Sequence, residues 1–182
     1  MGGRLAGTRL AGMRLAVTLL AGIGLAACAT SVNDETVSLT SDAFTDGGPI
    51  PTEFTCDGGD VSPPLAWSTG PDEVGAYALI VRDPDAGGFV HWVLTDIPHD
   101  VSALPQGQGD SIGIPGQNDF GRVGWGGPCP PSGSPHRYEF RIFALSAPLE
   151  LDGAPTADDV ERALGDSVMA EGVLTGVYSR SR

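Results

Sequence analysis

Residues 76–100 read AYALIVRDPDAGGFVHWVLTDIPHD, two apolar runs on either side of a turn rich in proline and glycine. Successive side chains of a β-strand point to opposite faces. Tyr77, Leu79 and Val81 therefore line one face, and Asp83 and Asp85 continue that parity with carboxylates where the apolar stripe should end. In the second run the same counting puts His91 on a face with Phe89, Val93 and Ile97. Alone in such a stripe, a histidine is most often a packed residue with its nitrogens satisfied. A third run, 137–145, points Tyr138, Phe140 and Ile142 inward, with His136 on the same parity just ahead of them. Arg137 and Arg141 fall on the opposite side, suited to salt bridges.

Shorter β-rich runs lie at 36–40 and 65–67, the latter after the stiff Ser62-Pro63-Pro64. Period-2 patterning between turns of glycine and proline predicts a mainly β fold of antiparallel sheets rather than alternating βαβ units. One helix is predicted near 156–164: Thr156 offers an N-cap hydroxyl with Asp159 three residues on, and Val160, Ala163 and Leu164 form an apolar stripe ahead of Gly165. A second short helix is expected over 168–174, leaving GVYSR at 176–180 as a final strand. The stretch 98–127 reads mostly as loop; in a compact domain a loop of that length is usually functional or mobile.

At the N-terminus Arg4, Arg9 and Arg14 precede an apolar run, 15–27, that stops at Cys28. It is too short for a hydrocarbon layer of about 30 Å, which takes about 20 apolar residues, and reads as a secretion signal that is removed. Leu25-Ala26-Ala27-Cys28 resembles the bacterial lipobox, in which the cysteine takes a diacylglyceryl thioether and becomes the new N-terminus. Translation from Met1 or from Met13 leaves Cys28 in the same place. The chain thus divides into a signal at 1–27, a small polar tether at 28–35, and one domain at 36–182.

The whole chain carries a net charge of −13 and contains no lysine. Losing 1–27 removes three arginines and no carboxylate, leaving seven arginines against 23 acids, a charge of −16. So acidic a chain has no electrostatic footprint for nucleic acid and no basic patch for anionic lipid. Membrane contact is expected through the lipid anchor, with the protein on the extracytoplasmic side of the cell membrane. Cys56 and Cys129 then remain in an oxidising compartment, which favours a disulfide between them over two buried thiols that never meet.

Singly, Asp83, His91, His136 and Tyr138 each have a structural explanation: a turn, a packed imidazole, a core aromatic. Four polar groups at inward positions of one small domain point instead to a shared site.

The segments DPDAGGFVHWVLTDIP (83–98) and GWGGPCPPSGSPHRYEFRIFAL (124–145), flanked by FTCDGGDVSPPLAW (54–67) and VLTGVYSR (173–180), resemble the phosphatidylethanolamine-binding proteins, in particular their bacterial, Raf kinase inhibitor-like branch. The resemblance runs from about Val37 to Arg180. It implies a β-sandwich-like fold with a large central antiparallel sheet, a smaller sheet, peripheral helices and a C-terminal helix. It also implies a small pocket for phosphate or a phospholipid headgroup, made by Asp83, His91, the loop from Gly127 through Pro128 and Pro130 to Pro131, His136 and Tyr138. Gly87 stands where the family commonly has proline, and Trp125 where the bacterial branch usually has tyrosine; both departures are expected to bear on the pocket rim.

Imidazole N–H groups, a tyrosine hydroxyl and loop N–H groups can all donate to phosphate oxygens, with Asp83 accepting from and orienting one imidazole. The proline-rich loop costs little entropy to hold in place. The reading is a lipid-anchored binding protein for a phosphate-bearing or other anionic small molecule, acting on a regulated enzyme partner, with homodimerisation left open. A hydrolase is the alternative, with His91, His136 and Asp83 as acid and base and Cys129 as nucleophile. Two histidines and two aspartates could satisfy zinc, but neither histidine has a local ligand spacing, so no metal and no cofactor are expected.

Overall fold

In the computed structural model, contacts group residues 1–32 and 33–182 into two units. Residues 1–3 and 36–181 are described; the expected signal beyond residue 3, the lipidation expected at Cys28 and the expected tether lie outside them.

The domain is built from a six-stranded and a three-stranded sheet. The strands are β1 (Leu39–Thr40), β2 (Gly48–Pro49), β3 (Leu65–Trp67), β4 (Ala76–Asp83), β5 (Phe89–Pro98), β6 (Ala103–Leu104), β7 (Ile114–Pro115), β8 (His136–Leu145) and β9 (Val168–Tyr178), with helix α1 (Ala157–Leu164) between the last two. The large sheet runs β2-β9-β8-β4-β5-β7 and the small one β1-β3-β6. All pairings are antiparallel except β2 with β9.

The large sheet has a core on each face. One side buries Tyr77, Leu79, Val81, Phe140 and Ile142 against Leu39, Leu65, Trp67 and Leu104 of the small sheet. The other buries Ala78, Ile80, Val93 and Phe143 under Ala157, Val160 and Leu164 of α1. That helix starts as expected: the Thr156 hydroxyl accepts from the Asp159 N–H, and the Asp159 carboxylate accepts from the Thr156 N–H.

The helix expected over 168–174 is instead the start of β9, which pairs with β8 along its whole length. Ala170, Gly172, Leu174 and Gly176 alternate inward, a period of two written partly in glycine and so weak in hydrophobicity. The glycines are needed for space, since a Cβ at Gly172 would run into the Val37 carbonyl and one at Gly176 into Ile50.

The simple parity of β5 also fails. Val81 faces Trp92 while Arg82 faces Val90, so His91 is the extra residue of a β-bulge. His91 and Trp92 consequently stay on the small-sheet side and Val93 turns to the α1 side. A second irregularity, where Tyr77 and Leu79 face Ile97 and Leu94, returns Ile97 to the first side. Asp96, with φ of 51°, lies within it.

Residues 98–127, read as loop, contain β6, β7 and a 3-10 turn at Gly109–Ser111. Asp110 of that turn accepts from Trp92 Nε1 at 2.6 Å and from the Trp125 N–H at 3.2 Å, fixing the segment to the core.

Candidate functional site

β4 lies between β5 and β8, so its last residue, Asp83, sits between His91 of one neighbour and His136 and Tyr138 of the other. At this end of the sheet a cavity of about 170 Å³ is lined by Asp83, His91, His136 and Tyr138 together with Ala86, Phe89, Phe120, Cys129, Pro130 and Pro131. Asp83 and His91 are 3% exposed and Tyr138 1%.

Asp83, His136 and His91 are each held by a specific partner. Asp83 Oδ2 lies 2.7 Å from His136 Nδ1, and Oδ1 accepts from the Ala86 N–H at 3.0 Å, closing the turn at Pro84–Ala86. That turn ends on Gly87 at φ 71°, a left-handed conformation closed to proline. His91 Nδ1 lies 2.7 Å from the Gly126 carbonyl, while the Gly126 N–H donates back to the His91 carbonyl. A carbonyl can only accept, so Nδ1 carries a proton and Nε2 is the free nitrogen of the ring. Burial pushes the His91 pKa down, against the upward pull of the Gly126 carbonyl and the Asp83 charge.

The Tyr138 hydroxyl is buried and makes no hydrogen bond of ordinary geometry among the described residues. Burial, then the Asp83 charge and the approach of that carboxylate to the hydroxyl, push its ionisation upward, so it stays a donor. Its ring meets His91 edge-on at 5.1 Å, and Phe89 and Phe120 meet His91 at 5.2 and 5.4 Å. Phe120 stands at the mouth, 39% exposed, on a turn organised by Asn118, whose Oδ1 accepts from the N–H groups of Phe120 and Arg122 and whose Nδ2 donates to the Gly124 carbonyl. Counting along strands missed Phe120 because it lies in a loop; the Asn-Asp-Phe-Gly turn at 118–121 was the available signal.

The loop after Gly126 differs from its expected part. Pro130 lines the cavity, whereas Gly127 and Pro128 do not: the Gly127 N–H donates to Asp60 Oδ1 at 2.7 Å, and the Pro128 carbonyl accepts from the Cys56 N–H. The Gly127 N–H and the Pro128 carbonyl are thus turned toward residues 56–60, while the Gly127 carbonyl lies on the His91 side, and the prolines have no N–H to offer. The Cys129 N–H, the remaining one of 127–131, meets no partner among the described residues. Cys56 and Cys129 are joined by a disulfide, Cα atoms 5.4 Å apart, so Cys129 offers no thiolate to a hydrolytic mechanism. Trp125 does not reach the cavity; it packs on Trp92 and Phe140 in the core.

Arg137 lies outside and pairs with Asp85, holding that carboxyl down to about 2; Arg141 pairs with Glu171. Among the described residues no three histidine, cysteine or carboxylate side chains converge as a metal site would require. Nor is any described helix long and apolar enough to cross a membrane.

The family model for phosphatidylethanolamine-binding protein matches residues 40–179. A UPF0098 protein of Methanothermobacter thermautotrophicus is 43% identical over 151 residues, covering 79% of this chain and 99% of that protein. LppC of Mycobacterium tuberculosis, named as a lipoprotein, is 37% identical over 147 residues, covering 79% of this chain and 73% of its own. Among solved structures, CT736 of Chlamydia trachomatis superposes with a TM-score of 0.75 at 34% identity, covering 80% of this chain and 99% of that one. YbcL of E. coli, described as a member of the mammalian PEBP family, gives 0.73 at 33% identity with the same coverage.

Proposed function

The chain belongs to the phosphatidylethanolamine-binding protein family, and from that premise we propose that it is a lipid-anchored, extracytoplasmic binding protein whose cavity takes a small anion, phosphate or a phosphorylated headgroup, and whose occupancy regulates a partner protein. The observation that carries the anion reading is the Tyr138 hydroxyl. A buried hydroxyl without a partner costs about 1–3 kcal/mol, and a ligand oxygen accepting from it recovers that cost. His136, oriented by Asp83, supplies a second polar contact on the same wall, and the Cys129 N–H a third at the loop.

Anchoring rests on the lipobox at 25–28 and on the lipoprotein name of the mycobacterial relative. The disulfide fits export, since such bonds persist in oxidising compartments. The disulfide supports binding over hydrolysis in that it takes the Cys129 thiol from the hydrolase alternative.

Titration of the protein with phosphate and with phosphoethanolamine, followed through the histidine side-chain NMR signals of wild type and His91→Ala, tests the pocket. Shifts of His91 and His136 at millimolar ligand are expected, with the His136 response weakened in the variant. Silence of both signals at that concentration overturns the reading.

A further inference from the structure

The donors and acceptors that face the cavity differ in number and in sign, and that difference selects among anions. No arginine is among the lining residues. The nearby guanidinium groups are already paired: Arg137 with Asp85, Arg122 with Asp60, and Arg82 with Glu161 of α1. The single lining carboxylate, Asp83, faces one imidazole, His136, so even a doubly protonated His136 leaves no surplus positive charge. Asp119, whose carboxylate accepts from the Val90 N–H, adds negative charge on the His91 side. A dianion entering here would be desolvated against apolar walls with nothing to neutralise its second charge.

His91 adds a geometric condition. The Gly126 carbonyl takes the proton on Nδ1, which leaves Nε2 as an acceptor on a ring that meets the Tyr138 ring edge-on at 5.1 Å in the same cavity. An acceptor and a donor on adjoining rings of one cavity are both satisfied by a ligand that presents an oxygen and an O–H together.

Resting on the anion-pocket reading above, we propose that the site takes a phosphate monoester in its singly charged, proton-bearing form. The P–OH of that form donates to His91 Nε2, while its other oxygens accept from Tyr138 and His136. The dianion of the same ester is excluded by charge. A phosphate diester, the chemistry of an intact phospholipid headgroup, is singly charged but lacks the O–H and leaves Nε2 unmatched.

Methyl phosphate and dimethyl phosphate separate these cases. Their dissociation constants are measured with the full chain between pH 6.5 and 8.0, by histidine NMR or calorimetry. Dimethyl phosphate keeps one charge throughout, so its profile records the titration of the protein's own groups, Asp83, Asp119, His91 and His136. Dividing the methyl phosphate affinity by it isolates the proton of the ligand. With a second ionisation near pH 6, as for phosphate esters generally, that ratio is expected to fall by about 25-fold over the range. Methyl phosphate is also expected to bind more tightly than dimethyl phosphate at pH 6.5. A ratio independent of pH, or tighter binding of the diester at pH 6.5, overturns this inference while leaving an anion pocket in place. Absence of binding by both ligands overturns the anion pocket, and this inference with it.

Discussion

Two residues of the cavity wall bear on stability in different ways. The Tyr138 hydroxyl is buried and unpartnered, so Tyr138→Phe removes a polar group that the fold gains nothing from. Urea unfolding is expected to show the variant as stable as wild type or up to about 1 kcal/mol more stable, with phosphate affinity reduced about tenfold in titration. His91 bears on pH. Its folded-state pKa lies below the ordinary value of about 6.5, so as pH falls through that value the unfolded chain takes up a proton that the folded protein refuses. The His91 contribution is therefore intact above pH 7 and lost progressively as the solution is acidified below about 6.5. Denaturant unfolding of wild type and His91→Gln at pH 7.5 and 5.0 is expected to show the steeper loss in wild type; equal losses would contradict the buried neutral imidazole.

Among the elements, the cavity is finished by a loop rather than a strand. Residues 126–131 have no ladder to hold them; they are tied to residues 56–60 by the Gly127–Asp60 bond, the Cys56–Pro128 bond and the disulfide. Cys56 and Cys129 are 73 residues apart, a closure worth about 4 kcal/mol in the chain-entropy model. The double variant Cys56→Ser, Cys129→Ser is expected to lose up to about that much in urea unfolding and to bind phosphate more weakly, because Pro130 and Pro131 lose their tether. The bulge at His91 is the second local device. It turns His91 into the cavity beside the β8 residues and allows Trp92 to enter the core on the same side.

At the scale of the whole molecule, the long pairing of β9 with β8 closes the large sheet, and the chain segment before β1 packs across it at Gly172. The Val37 N–H donates to the Glu171 carbonyl, and the Val37 carbonyl occupies the space where a Gly172 side chain would be. Gly172→Ala must push backbone from backbone, and a loss of about 2 kcal/mol is expected in thermal or urea unfolding. The cavity lies at one end of this sheet, so a control binding measurement on the variant is expected to show phosphate affinity retained. The two cores, one under the small sheet and one under α1, make the wall that presents Asp83, His136 and Tyr138 a doubly buried structure rather than a mobile surface.

The long strands, the capped helix, the disulfide partners and the inward aim of Asp83, His136 and Tyr138 were legible in the sequence because each depends on local spacing: alternation along one strand, a cap three residues from its partner, two cysteines left to meet. The motifs at 83–98 and 124–145 carried the family. Tertiary structure decided what no local count contains. Glycine at inward positions of β9 leaves no apolar period to read, yet pairing with β8 overrides helix formation. One extra residue at His91 reverses every later side chain of β5 up to the next irregularity. Asp60, Asp110 and Asn118 fix the loops by bonds that cross the molecule or close a turn, and so decide that Phe120 borders the cavity while the Gly127 N–H and the Pro128 carbonyl are spent on residues 56–60. Strand periodicity is a property of one segment; the walls of a cavity are a property of several segments meeting, and only their packing sets which groups remain free for a ligand.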